Sequence, residues 1–512
     1  MRKYSVALVA LCLAVSLALA GKWSDRNRPD AQETVRPTPK ESILTGAEAL
    51  DAYYNQVLKW TACKDGFDCS TLNVPLDYKH PEGESIALSV VRLQANNAVG
   101  SLLLNPGGPG GSGIEYVRAA TYVVSQNLIK RYDIVGFDPR GVGESTPVKC
   151  LTDAQTDEII AADGSPDNQV EIDRIVALNK QFANACAKKS PDLFRFVDTV
   201  SAARDMDILR SALGDDKLNW LGKSYGTFLG ATYAELFPHR VGRMVLDGVI
   251  DPALTNEALS YGQALGFEDA LRRFIADCST HDDCPLDASR AVAYQQVAGM
   301  LNSLDEQPVQ LNNGRIITEA MAFIGVLGSL YDKQYGWPQL RSNLSEALES
   351  SFDGLATSLD LYISRGSDGK YTDNSNDAIA TINCLDRPDR ASIRQTRNLV
   401  KSWRKDAPLF GEYLAWSNLS CTYWKTPATS KPHKISANGA PNILLVGTTH
   451  DPATPYVWAQ SLAKQLADAT LLTLDGDGHT AYMQGSVCID RAVDRYFLTG
   501  VAKSGTVCHD GP

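Results

Sequence analysis

The chain has 512 residues, with 49 Lys and Arg against 60 Asp and Glu and a formal charge of −11. That acidic balance argues against nucleic acid as a partner, and the length predicts one large domain carrying an insertion, or two domains. Neither the 11 cysteines nor the 7 histidines cluster at the close spacing of a metal site, so no metal is expected.

Residues 1–20, MRKYSVALVALCLAVSLALA, run from a basic start through an unbroken apolar stretch to small residues at Ala18 and Ala20. This is the pattern of a secretory signal peptide, too short for a stable membrane anchor. The expectation is a secreted or periplasmic protein with no membrane association after cleavage. Without Cys12, an even set remains: Cys63, Cys69, Cys150, Cys186, Cys278, Cys284, Cys384, Cys421, Cys488 and Cys508. In an exported chain these predict disulfides; paired as neighbours they would close five loops, but the sequence leaves the connectivity open. The polar segment 22–40 reads as a loose leader.

The stretch 86–95, IALSVVRLQA, alternates as an exposed, antiparallel edge strand. Apolar runs bounded by turn residues then follow at 101–105, 132–138, 218–222, 243–248, 442–447 and 470–476, the pattern of buried parallel strands. Amphipathic helices, such as 196–213 and 456–468, lie between most of them, which predicts an α/β sheet with helices on both faces. Between 252 and 440 the strand pattern stops and helical segments take over, around 256–276, 288–304, 317–331 and 338–361. A helical cap or lid inserted over the carboxyl ends of the strands accounts for this. The expected organisation is a signal peptide at 1–20, the first part of the core at 21–251, the cap at 252–440 and the rest of the core at 441–512.

The sequence LGKSYGTFLG at 221–230 sets Ser224 between Gly222 and Gly226, after a strand pattern and before a helical one. This is G-x-S-x-G, a sharp turn that lifts a serine hydroxyl above a sheet. The neighbouring GKS invites a phosphate-loop reading, which fails because Lys217 stands where glycine is required. A serine hydroxyl is a weak nucleophile and needs a base oriented by an acid, in the chain order Ser, acid, His. His479 follows the last long strand pattern and Asp451 the one before it. His450 competes for the base but lies at the acid's strand end, and Asp475 and Asp477 are too close in sequence to partner His479. The developing oxyanion needs fixed N–H donors: Tyr225 supplies one and NPGGPGGSG at 105–113 a second, taken as Gly108. Reading Gly108-x-Gly110-x-x-Gly113 as a dinucleotide fingerprint fails on the stiff Pro109 and on the exported setting, so no cofactor is expected.

With these residues in view, the chain resembles the α/β-hydrolase fold peptidases of the prolyl aminopeptidase family, and most closely their secreted tripeptidyl aminopeptidase branch. The resemblance is carried by VPLDYKHP (74–81), NPGGPGGSG, GFDPRGVGEST (136–146), GKSYGT (222–227), INCLDRPD (382–389), LLVGTTHDPATP (444–455) and GDGHTAY (476–482). It implies Ser224, Asp451 and His479 as the catalytic set, a helical cap, and removal of short peptides, often three residues, from free N-termini. Shorter members have histidine before the glycines of the oxyanion loop, where this chain has Pro106. An exopeptidase also needs a carboxylate for the α-ammonium, and Asp386 and Glu115 are the candidates. The alternatives are a secreted carboxylesterase or small-amide hydrolase on the same fold, and a non-catalytic binding protein, which should have lost a member of the set.

Overall fold

In the computed structural model, residues 48–509 are described; the expected signal segment 1–20 and the leader 22–40 lie outside them. The strands are β1 (Thr61–Ala62), β2 (Asp68–Pro75), β3 (Ser85–Leu93), β4 (Ser101–Asn105), β5 (Asp133–Phe137), β6 (Leu218–Lys223), β7 (Val241–Asp247), β8 (Val309–Gln310), β9 (Ile316–Ile317), β10 (Ile443–His450), β11 (Ala469–Asp477) and β12 (Val507–His509). All but β8 and β9, which pair as a small ribbon, form one sheet in the order β1-β2-β3-β5-β4-β6-β7-β10-β11-β12. The first three pairings are antiparallel and the others parallel, an α/β-hydrolase sheet.

The central strands are continuous apolar runs because both of their faces are covered. Along β4, Leu103 belongs to one hydrophobic cluster, with Trp220, Leu246 and Leu445. Leu102 and Leu104 belong to another, with Leu221, Val245 and Val446. The alternation expected of a half-exposed edge is present in Ser85–Leu93, but that strand is not an edge. Strands β1 and β2 continue the sheet beyond it, the former tied back by the Cys63–Cys69 disulfide.

Between β7 and β10 the chain is helical, with Asn256–Cys278, Arg290–Glu306, Glu319–Ser329, Gly336–Leu348, Asp353–Tyr362, Ser375–Asp386, Ile393–Asp406 and Phe410–Trp416 as the longer elements. This insert has its own core, around Phe267, Phe274, Phe323, Trp337 and Phe410. The stretch 338–361 is not one helix: the chain turns at Ser350, with φ +68°, and restarts at Asp353. A second helical excursion, Asp153–Ile160 and Gln169–Lys189 between β5 and β6, sends Ile172 into the insert's core.

Five disulfides close Cys63–Cys69, Cys150–Cys186, Cys278–Cys284, Cys384–Cys421 and Cys488–Cys508, each between neighbours in sequence. Such bridges fit an extracellular or periplasmic protein. No helix among the described residues is long and apolar enough to cross a membrane.

Candidate active site

Four loops lie at the carboxyl ends of the parallel strands, those after β4 and β6 on one side of β7 and those after β10 and β11 on the other. Ser224 follows β6 directly and adopts φ 55° and ψ −122°, a strained conformation for a residue with a Cβ. Both flanking glycines are required by contact. A Cβ on Gly222 would come within 2.2 Å of the Gly226 carbonyl oxygen, and one on Gly226 within 2.8 Å of Asn105 Oδ1. The turn is fixed at its start by the Ser224 N–H, which donates to the Asp247 carbonyl at 2.9 Å, and at its end by Thr227, whose N–H and hydroxyl both donate to the Ser224 carbonyl.

Asp451 and His479 are brought together. The imidazole Nδ1 lies 2.9 and 3.0 Å from the two oxygens of Asp451, which is 3% exposed. A carboxylate only accepts, so Nδ1 carries the proton. Among the described residues all the ring's hydrogen bonds fall on Nδ1, leaving Nε2 open as a base. The carboxylate is itself held by the N–H groups of Ala453 (2.9 Å), Thr454 (2.8 Å) and Thr480 (3.2 Å) and by the Thr454 hydroxyl (2.9 Å). The imidazole packs beside the end of β7, next to the serine strand: a Cβ built on Gly248 would lie 3.2 Å from His479 Cε1. The rival candidates are engaged elsewhere. His450 pairs with Asp269 at 2.8 Å, Asp475 with His509 at 3.2 Å, and Asp477 with Arg273 and Lys333.

The glycine loop after β4 passes against the serine turn. Gly107 (φ +102°) has no room for a side chain, since a Cβ would lie 2.6 Å from the Lys223 carbonyl oxygen and 2.9 Å from Ser224 Cβ. Its N–H is taken by Asn105 Oδ1 at 3.0 Å. Among the described residues, the N–H groups of Gly108 and Tyr225 donate to no acceptor, as oxyanion donors should. Where this loop enters the next helix, Asp138 from GFDPRGVGEST accepts from the Ser112 hydroxyl (2.6 Å) and the Ile114 N–H (3.2 Å).

The two candidate amine anchors are placed differently. Glu115, in the first turn of Gly113–Arg118, is exposed and paired with Arg118. Asp386 is 1% exposed and accepts from the Thr199 N–H (2.8 Å) and hydroxyl (2.5 Å); the same hydroxyl lies 2.5 Å from Tyr225 Oη. Burial pushes the Asp386 carboxyl up to about 7, against the lowering by the Thr199 hydrogen bonds. In this state it supports the residue that follows the serine.

The helical insert touches three of the four loops, as a cap over the carboxyl ends of the strands would, though no local signal in the sequence marks which of its residues make the contacts. Helix Ser375–Asp386 packs on Gly110 of the glycine loop, and Gly266 of Asn256–Cys278 packs on Pro452 beside the acid. The turn after Glu319–Ser329 reaches the histidine. The Tyr331 carbonyl accepts the His479 N–H at 2.8 Å, and the Tyr331 ring meets the imidazole edge to face at 5.3 Å. Sequence reasoning also passed over Thr454, although a threonine three residues after a carboxylate is a familiar local hydrogen-bonding partner.

The chain is similar to several known proteins. A family model described as TAP-like protein matches residues 407–508. The chain is 37% identical over 485 residues to serine protease Hip1 of Mycobacterium tuberculosis, covering 90% of this chain and 93% of that one. It is 39% identical over 443 residues to carboxylesterase B of the same species, covering 84% of each. It is 30% identical over 442 residues to tripeptidyl aminopeptidase of Streptomyces lividans, covering 84% and 81% respectively.

Proposed function

Since the chain belongs to the TAP-like family of α/β-hydrolase serine peptidases, we propose that it is an exported exopeptidase that releases short peptides, tripeptides first, from free N-termini. Ser224 attacks the scissile carbonyl while His479 Nε2 takes its proton and returns it to the leaving amine. Asp451 holds the imidazole in the required tautomer and stabilises its charged form, and the Gly108 and Tyr225 N–H groups receive the oxyanion. Water then hydrolyses the acyl-enzyme by the same route. The helices between β7 and β10 act as a cap that limits how much chain can enter.

The observations that carry this reading are the Asp451–His479 pair and a serine held at positive φ, both packed at the end of β7, where the Asp247 carbonyl accepts the Ser224 N–H and Gly248 lies against the imidazole. The same machinery serves esters, and the likeness to carboxylesterase B gives that second reading a specific basis. The test uses chromogenic anilides of one-, two- and three-residue peptides, each with a free and an acetylated N-terminus. An aryl ester and Ser224→Ala complete the set. Cleavage of free-amine tripeptides, lost on acetylation and in Ser224→Ala, supports the exopeptidase. Ester turnover without anilide cleavage favours the esterase, and activity surviving in Ser224→Ala overturns the mechanism. Glu115→Gln and Asp386→Asn extend the test to the amine anchor. An anchor's loss removes the preference for the free amine, whereas loss of support for Tyr225 lowers turnover on both forms.

A further inference from the structure

The lysine of GKSYG, which fits no phosphate loop, has another place in this molecule. Lys223 is the last residue of β6, immediately before Ser224, and is only 6% exposed. Its Nζ donates to the Tyr482 carbonyl at 2.7 Å and lies 3.8 Å from Asp247 Oδ2. Asp247 is the register partner of Lys223 on β7, and its carboxylate accepts the N–H groups of Ala481 (2.9 Å) and Tyr482 (3.0 Å). Its backbone carbonyl accepts the Ser224 N–H. The bonds therefore close a ring: serine turn, Asp247, the segment 481–482, Lys223 and back to the serine turn.

From this ring we propose that Lys223 is a positioning residue that, with Asp247, holds the loop carrying His479 in register with Ser224. The proposal rests on the Ser224–His479–Asp451 reading given above. The loop needs such a hold because its backbone is unusual: Gly478, Thr480 and Met483 all have positive φ, two of them with side chains. Besides Asp247, the segment is held by Asp451 on the Thr480 N–H and by Asp490 on the Met483 N–H at 2.7 Å. The Tyr331 carbonyl on the His479 N–H and the Thr448 hydroxyl on the Thr480 carbonyl (3.3 Å) add to this, but among the described residues Lys223 alone reaches a carbonyl of the segment from the serine's own strand. Burial pushes its ammonium down and the Asp247 carboxyl up. A buried pair of this kind is a poor source of stability compared with apolar side chains of the same volume. Its geometry has a clear use in holding two catalytic groups in register.

The experiment measures kcat, KM and melting temperature for wild type, Lys223→Met, Asp247→Asn and the double variant on an aryl ester. It also measures their rates of inactivation by a fluorophosphonate, which reports serine reactivity without a leaving amine. A positioning role predicts that Lys223→Met loses about 10- to 100-fold in kcat and in inactivation rate, with KM held within about twofold. The melting temperature falls in Lys223→Met, which strands the buried Asp247 carboxylate without its cation, and recovers toward wild type in the double variant, while kcat does not. The double variant is no slower than the slower single one, because both break one ring. Unchanged kcat in folded Lys223→Met, or additive losses in the double variant, overturns the proposal. If Lys223→Met fails to fold, the double variant Lys223→Met with Asp247→Asn, which leaves no buried charge unpaired, carries the test: the same loss in kcat and inactivation rate is expected, and a kcat within about twofold of wild type overturns the proposal. Wild-type hydrolysis that survives in Ser224→Ala would sink the catalytic reading itself, a result distinct from either outcome for Lys223.

Discussion

Replacing Asp451 by asparagine changes one oxygen for an NH2 group, and the surrounding donors decide where that group goes. Oδ1 accepts two fixed N–H groups, from Ala453 and Thr454, while Oδ2 accepts the Thr480 N–H and the rotatable Thr454 hydroxyl. The amide oxygen therefore occupies the Oδ1 position and the NH2 the Oδ2 position. Thr454 can turn its hydroxyl to accept, but the Thr480 N–H loses its acceptor, at about 1–3 kcal/mol of stability. The NH2 now points at His479 Nδ1 from 3.0 Å. It can donate only if Nδ1 gives up its proton, so the favoured tautomer carries hydrogen on Nε2. Such a ring presents a donor to Ser224 and cannot act as its base. The expected loss in kcat is about 10,000-fold, or about 5 kcal/mol of transition-state stabilisation. Steady-state turnover of an aryl ester, run beside a thermal melt, measures both effects. Folded Asp451→Asn with kcat within tenfold of wild type would refute the assigned tautomer and the role built on it.

Gly107→Ala forces a Cβ to within 2.6 Å of the Lys223 carbonyl oxygen at φ +102°; kcat should fall by about 100-fold or more and stability by about 1–3 kcal/mol. Gly299→Ala, in helix Arg290–Glu306 with nothing near its Cβ, is the control, expected to stabilise by up to about 1 kcal/mol in a denaturant titration. Asp386, with its carboxyl at about 7 in the fold and about 4 in the unfolded chain, retains a proton that the unfolded chain has lost. Its contribution to stability is therefore most favourable below about pH 4 and is lost as pH rises toward 7. The melting temperature of Asp386→Asn relative to wild type should rise across that window, and a pH-independent difference would contradict the assignment. Removing Cys150–Cys186, with a sequence separation of 36, should cost about 4 kcal/mol on loop entropy, against about 2 kcal/mol for Cys278–Cys284 with a separation of 6. Chemical denaturation of the paired Cys→Ala variants checks that order.

The parts of the fold legible in sequence are those whose signal is local. Strands such as Ser101–Asn105 and Asp133–Phe137 are buried along their whole length, so they read as unbroken apolar runs. Each candidate catalytic side chain stands just beyond one of these runs, which makes its place readable from order alone. Strand Ser85–Leu93 misleads because its alternation reflects uneven burial, while its outer neighbour Asp68–Pro75 is polar enough to pass for loop. Tyr331, Thr199 and Asp247 act on the site across gaps of many residues. Nothing in a tyrosine between two helices marks it as the acceptor for a histidine N–H on a distant loop. Such contacts are properties of the packed chain and leave no periodicity behind.

The hydrogen bond from the His479 N–H to the Tyr331 carbonyl limits how this scaffold can diversify. The helices that would select a substrate also set the orientation of the base, and Arg273 and Lys333 tie them to Asp477 two residues before it. Exchanging the whole insert for that of a relative would disturb turnover along with selectivity. A change of selectivity that leaves turnover intact would have to spare the 330–335 turn and its contacts to His479 and Asp477.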